Sequence, residues 1–145
     1  MAWSALIREK LFDLVVCEHT LDSYKYIDVL NKSLVPSMKR GLQFMHDGAS
    51  VHRSIVTTNW LEKKKIKVIE WPAHSPDLNP MENIWGSLTR AVYANGRQFK
   101  NKDDLKKEVL KQWSQIKPKI LLNHVESMSD RIVAVIQKNG GNTKY

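Results

Sequence analysis

Apolar and polar residues along this chain change their spacing several times, and each change marks an element. Two apolar runs, Ala2 to Ile7 and Leu11 to Cys17, lie on either side of the charged Arg8-Glu9-Lys10. That arrangement predicts a hairpin of two mostly buried strands. From Asp22 the spacing becomes helical: Ile27, Leu30 and Leu34 recur on one face, behind Asp22 and Ser23 as capping residues. Pro36 and Lys39-Arg40-Gly41 end that helix. Leu42 to His46 is a short strand-like run that stops at Asp47-Gly48. Ser50 is then the expected cap of a second helix carrying Val51, Ile55 and Leu61 and finishing in Lys63-Lys64-Lys65. Lys67 to Trp71 is a further short strand.

A loop dense in turn residues follows: Pro72, Ser75, Pro76, Asp77, Asn79 and Pro80. Asn79 before Pro80 predicts a helix start, because proline suits the first helical position. Asn95-Gly96 ends that helix. Asn101 caps the next one, with Leu105, Val109, Trp113 and Ile116 on its inner face. After Pro118 one long helix is expected, showing Leu121, Val125, Met128, Ile132, Val135 and Ile136 and closing at Gly140-Gly141. Strands alternating with helices in the middle of the chain imply an α/β sheet with at least one parallel crossover.

The 145 residues suit one domain, and 42% hydrophobic content is that of a folded protein rather than a disordered one. A net charge of +8 suits a polyanionic partner, nucleic acid being the commonest, and on charge alone suits a merely solvated basic surface about equally. The single cysteine, Cys17, rules out an internal disulfide and sits in an apolar run as a small hydrophobe. No apolar run reaches the length of a membrane span, and Met1-Ala2-Trp3-Ser4 does not open a secretory signal.

Two carboxylates stand where chemistry could be done. Asp47 closes a strand, the end at which open α/β sheets place their ligands. Glu82 falls in the first turn of the helix that Asn79-Pro80 begins. Carboxylate oxygens are the hard donors that Mg²⁺ prefers. Each acid also has a purely structural reading. Asn79-Pro80-Met81-Glu82 has the form of a capping box, and Asp47-Gly48 that of a plain turn. Spacing and chemistry alone favour those structural readings. His46, His52 and His74 lack the spacing of a zinc site and read as solvated or capping residues. Lys63 to Lys65 and the lysines between Lys100 and Lys107 could touch phosphates or form a solvated face. Trp113 lies on a core stripe, while Trp71 and Trp85 flank the loop and are expected to lock it.

The stretch Trp71-Pro72-Ala73-His74-Ser75-Pro76-Asp77-Leu78-Asn79-Pro80-Met81-Glu82-Asn83-Ile84-Trp85-Gly86 resembles the signature around the last catalytic acid of Tc/mariner transposases. Upstream, Phe44-Met45-His46-Asp47-Gly48-Ala49-Ser50-Val51-His52 resembles the segment around that family's second acid. The 34 residues between Asp47 and Glu82 match the Tc branch, in which glutamate is the third acid. Trp3 with the hairpin, Tyr26 to Leu30, Val92-Tyr93-Ala94 and the region Met128 to Arg131 extend the likeness over essentially the whole chain.

This resemblance reverses the preference for both acids. It implies an RNase H-like fold with C-terminal helices, over residues 1–145. It also implies Asp47 and Glu82 as catalytic metal ligands, Mg²⁺ or Mn²⁺ as cofactor, DNA as partner, a nuclear location, and cut-and-paste transposition as the family's reaction. There are two departures from the pattern. The family's asparagine after the second acid is Gly48 here, and the strand bearing the family's first acid would lie upstream of Trp3. Glu9 and Asp13 fall on or beside the hairpin and do not replace that acid. The expectation is therefore an RNase H-like domain without its first, central strand. It would have two of three acids, crippled metal-pair binding and crippled catalysis. The alternative is a non-catalytic module that binds nucleic acid or pairs with a second copy or an intact transposase.

Overall fold

The hairpin forms, but as two short ladders. In the computed structural model, which describes residues 1–7, 10–18, 20–141 and 143–145, β1 (Ala2–Trp3) pairs antiparallel with β4 (Val15–Val16). The strands β2 (Leu6–Ile7) and β3 (Lys10–Leu11) pair in the same sense. Two residues separate β1 from β2, but three separate β3 from β4. The register therefore changes by one between Trp3↔Val15 and Leu6↔Leu11. Part of the expected charged turn, Arg8 and Glu9, lies outside the described residues, as do His19 and Asn142.

The chain divides into two compact units, Met1–Trp3 with Val15–Ser75, and Ser4–Leu14 with Pro76–Tyr145. In the first, helix α1 (Ser23–Val29) begins where expected, with the Asp22 side chain accepting from the Lys25 N–H at 2.9 Å. It passes into a wider π-type turn over Leu30–Leu34 and a 3-10 turn over Val35–Ser37. Pro36 has no N–H to give and crowds the carbonyl four residues back, so the regular ladder cannot continue. Tyr26, Leu30 and Leu34 point inward, and α1 packs on helix α2 (Ile55–Lys63).

The cap of α2 is Ser54, not Ser50. The Ser54 hydroxyl accepts from the Thr57 N–H at 3.2 Å. Residues 50–53 are instead a turn, because the Ala49 carbonyl takes the N–H groups of both His52 and Arg53. The two strands expected around residues 42–46 and 67–71 contract to one parallel bridge, Phe44↔Val68, joined through α2. Its bonds run from Phe44 N–H to the Lys67 carbonyl at 2.8 Å and from Ile69 N–H to the Phe44 carbonyl at 2.9 Å. Buried parallel strands are near-continuous apolar runs, and the exposed Gln43, Lys67 and Glu70 interrupt this one. The expected parallel crossover is present in this reduced form.

In the second unit, a 3-10 turn (Pro76–Leu78) leads through Asn79 into α3 (Pro80–Val92). Asn95 takes φ of 58° where the segment ends. Helix α4 (Lys102–Ser114) starts at Asn101, whose side chain accepts from the Asp104 N–H at 2.8 Å. Its Trp113 is buried, donates Nε1–H to the Phe12 carbonyl at 3.0 Å, and stacks on Trp85 of α3 at 5.2 Å. Trp113 is core as expected, and the ring of Trp85 serves the packing of α3 on α4.

The single long helix after Pro118 is two, α5 (Pro118–Glu126) and α6 (Met128–Gln137), broken at Ser127 with ψ of −5°. The break changes which face of the last helix turns inward. Arg131 is 1% exposed, whereas Ile132 and Ile136, expected on the inner stripe, are 50% and 68% exposed. With Ile84, Val92 and Leu121 also buried, the core of this unit is built on α3, α4 and α5. Each such fully buried aliphatic side chain contributes about 1.5–3 kcal/mol.

Candidate functional site

Asp47 and Glu82 fall in different units, and each is held by its own surroundings. Asp47 follows the bridged segment and is exposed. Its Oδ1 accepts from the Ala49 N–H at 3.0 Å, the self-turn that short carboxylates favour. The same oxygen lies 2.7 Å from His52 Nδ1, an ion pair when that ring is protonated. Among the described residues both contacts fall on Oδ1.

Behind Asp47 stands a ring cluster that sequence reasoning did not assemble. His52 and His46 stack at 4.9 Å, and Tyr26 lies 4.3 Å from the His52 ring. A hydrogen bond of 3.1 Å joins Tyr26 Oη to His46 Nδ1. Burial, with the His52 charge beside it, draws the His46 pKa down to about 4, against a partial opposing pull from Asp47. Burial first and Asp47 second push the Tyr26 phenol up, so both groups are neutral near pH 7. The histidines at 46 and 52 are thus packed partners rather than solvated residues, whereas His74 is exposed with φ of 55°. Position 48 does not need glycine for space. A Cβ there would meet nothing closer than Arg53 Nε at 3.8 Å.

Glu82 is exposed and sits third in α3, where the helix dipole favours a negative charge. The helix start is fixed around it. The Asn79 side chain accepts from the Met81 N–H at 3.1 Å, and the Asn79 N–H donates to the Pro76 carbonyl at 3.0 Å. The backbone N–H of Glu82 itself reaches the Asn79 carbonyl at 3.0 Å. Asp77 turns its carboxylate to Thr143, accepting from Oγ1 at 2.8 Å and from the backbone N–H at 3.2 Å. The Thr143 hydroxyl holds the Asp77 carboxyl below the ordinary value. Arg131 donates from Nη1 to the Asp77 carbonyl and from Nη2 to Asn83 Oδ1, both at 2.7 Å. One signal for Arg131 was present in the sequence. It lies three residues after Met128 and four before Val135, on an apolar stripe where a charge is out of place.

The donor chemistry at both acids suits a hard divalent ion. Among the described residues no group of three or more His, Cys, Asp or Glu gathers as a complete protein-only metal cage. Mg²⁺ does not need one, since it is commonly held by one or two carboxylates with water and substrate phosphates completing the shell. No helix among the described residues is long and apolar enough to cross a membrane.

Residues 2–106 match the family model described as DDE superfamily endonuclease. The Tc3 transposase of Caenorhabditis elegans is 34% identical, over all of this chain and 45% of its own length. The chain spans about half the length of the curated relatives it matches. The Mos1 transposase catalytic domain, solved with Raltegravir and Mg, superposes with a TM-score of 0.80 at 19% identity, over 97% of this chain and 75% of that one. The Mos1 paired-end complex with left transposon end superposes at 0.73 and 19% identity, over 95% and 42%. These likenesses give the fold as RNase H-like. With the family match over most of its length, this chain belongs to the DDE superfamily endonucleases, as a catalytic-domain chain of the Tc/mariner transposase type.

Proposed function

We propose that Asp47 and Glu82 are metal-binding acids, and that the reaction they serve is phosphoryl transfer during cut-and-paste transposition. The observation that carries this reading is Glu82 itself. It is an exposed carboxylate in the first turn of α3, within the stretch whose resemblance to the family signature implies the last acid there. A bound Mg²⁺ or Mn²⁺ would supply activation of the attacking oxygen and stabilisation of the leaving one. The chain's own residues aim the ligands. Among the described residues the Ala49 N–H and His52 both engage one Asp47 oxygen, the other would take a cation, and Asn79 with Pro80 sets the helix that presents Glu82. The match to a Mos1 structure solved with Mg supports the choice of ion.

DNA is the proposed partner, in the nucleus. Net charge of +8 supports it, as do the exposed Lys63, Lys64 and Lys65 at the end of α2 and the Mos1 complex with a transposon end. The same charge favours a second reading, a module that binds nucleic acid or pairs with a transposase without catalysis. Fluorescence anisotropy of a labelled duplex, with and without Mg²⁺, separates the two. The metal-centre reading predicts that Mg²⁺ raises DNA affinity and that Asp47→Ala or Glu82→Ala removes the increment. DNA binding indifferent to metal and to both variants would leave only the module.

A further inference from the structure

Arg131 is not one of the acids proposed above to bind metal, yet it is the one buried charged side chain among the described residues. A guanidinium in the interior is costly unless its N–H groups find acceptors. Three are found: Ser127 Oγ from Nε at 2.9 Å, the Asp77 carbonyl from Nη1 and Asn83 Oδ1 from Nη2. The ring of Tyr145 lies over the group at 5.0 Å. Among the described residues none of these hydrogen-bond acceptors is a carboxylate, and the Asp77 carboxylate acts on the guanidinium through its charge alone. Asp77 gives Arg131 its backbone carbonyl and keeps its carboxylate for Thr143. The two Nη atoms therefore fall on either side of Glu82, one on the turn before α3 and one on the residue immediately after Glu82. A planar fork of donors fixes the relative placement of those two points in a way a single ammonium cannot.

We propose that Arg131 is a positioning residue for Glu82, its guanidinium joining the Asp77 carbonyl to the Asn83 side chain and so setting the direction of the carboxylate between them. The proposal rests on reading Glu82 as a metal ligand. Its test is calorimetric titration of Mn²⁺ into the full chain, at a temperature where circular dichroism shows each variant folded. Glu82→Gln reports on the ligand reading. Arg131→Lys and Asn83→Ala report on the fork, and Asn83→Asp keeps an acceptor for Nη2. Leu121→Ala, in the buried core of the same unit and with no polar group to give to the fork, controls for lost stability.

Losing a partner that orients a ligand weakens metal affinity by about tenfold or more, so that loss is expected of Arg131→Lys and Asn83→Ala. Asn83→Asp and Leu121→Ala are expected to stay near the unmodified affinity. Affinity lost in Glu82→Gln but kept in Arg131→Lys and Asn83→Ala would overturn the positioning role alone. Equal weakening by Leu121→Ala would also overturn it, by reducing the effect to stability. No Mn²⁺ binding by the unmodified chain, or unchanged binding by Glu82→Gln, would remove the ligand reading and this inference together. If Arg131→Lys does not fold, the Asn83→Ala and Asn83→Asp pair decides.

Discussion

Asp47 and Glu82 carry the same functional group, but the two regions hold them by different physics. Glu82 rides on a helix whose start is set by a side-chain cap, a proline at the first position and a buried arginine reaching in from α6. Asp47 hangs on a loop after a single parallel bridge, steadied by one backbone N–H and by a histidine within a stack of rings. The first arrangement is made of neutral or permanently charged groups and is indifferent to pH near neutrality. The second includes the half-buried His46, whose imidazole is held neutral near pH 7 and charges only in acid. Orientation can thus come from backbone architecture or from titratable side chains, and the two should fail under different conditions.

The largest expected effect tests the helix side. Arg131→Met leaves Asp77 O, Asn83 Oδ1 and Ser127 Oγ without their donor, which should cost about 3–5 kcal/mol in urea unfolding. A cost below about 1 kcal/mol would break the comparison. Asn79→Ala removes only the cap bond to Met81 and should cost about 1 kcal/mol by the same measurement.

The Asp47 side should instead be acid-labile. The folded pKa of His46, about 4, lies below its ordinary 6.5. The unfolded chain therefore takes up the proton first as pH falls. Stability present above about pH 6.5 is progressively lost down to about pH 4. Urea midpoints at pH 7 and pH 4.5 should show that loss, and His46→Phe should flatten it. The smallest effect is expected of Gly48→Asn, since a Cβ there meets only an ordinary contact with Arg53. Its unfolding free energy should stay within about 0.5 kcal/mol of the unmodified chain.

What was legible in the sequence was local. The start of α3 at Asn79-Pro80 and its end near Asn95 follow from residues a few positions apart, as does the cap at Asp22. Ser50 and Ser54 could not be separated that way. Both precede apolar residues, and the choice is made by Asp47 and Ala49 drawing residues 47–53 into a turn. The break at Ser127 has no glycine or proline to announce it. The Ser127 hydroxyl is spent on the His124 carbonyl and on Arg131 instead. At the site, the two acids could be named from the signature and its upstream companion. Their supports could not, because Tyr26 meets His46 across 20 residues and Arg131 meets Asp77 across 54. No periodicity spans such separations.

Thermal unfolding during a Mn²⁺ titration, with Asp47→Ala and Glu82→Ala measured in parallel, is the direct test of the metal-binding role proposed for each acid. The expected result is a cooperative transition whose midpoint rises with Mn²⁺ in the unmodified chain, and a much smaller rise in either variant. A midpoint indifferent to Mn²⁺, or one that rises equally in all three proteins, would contradict it.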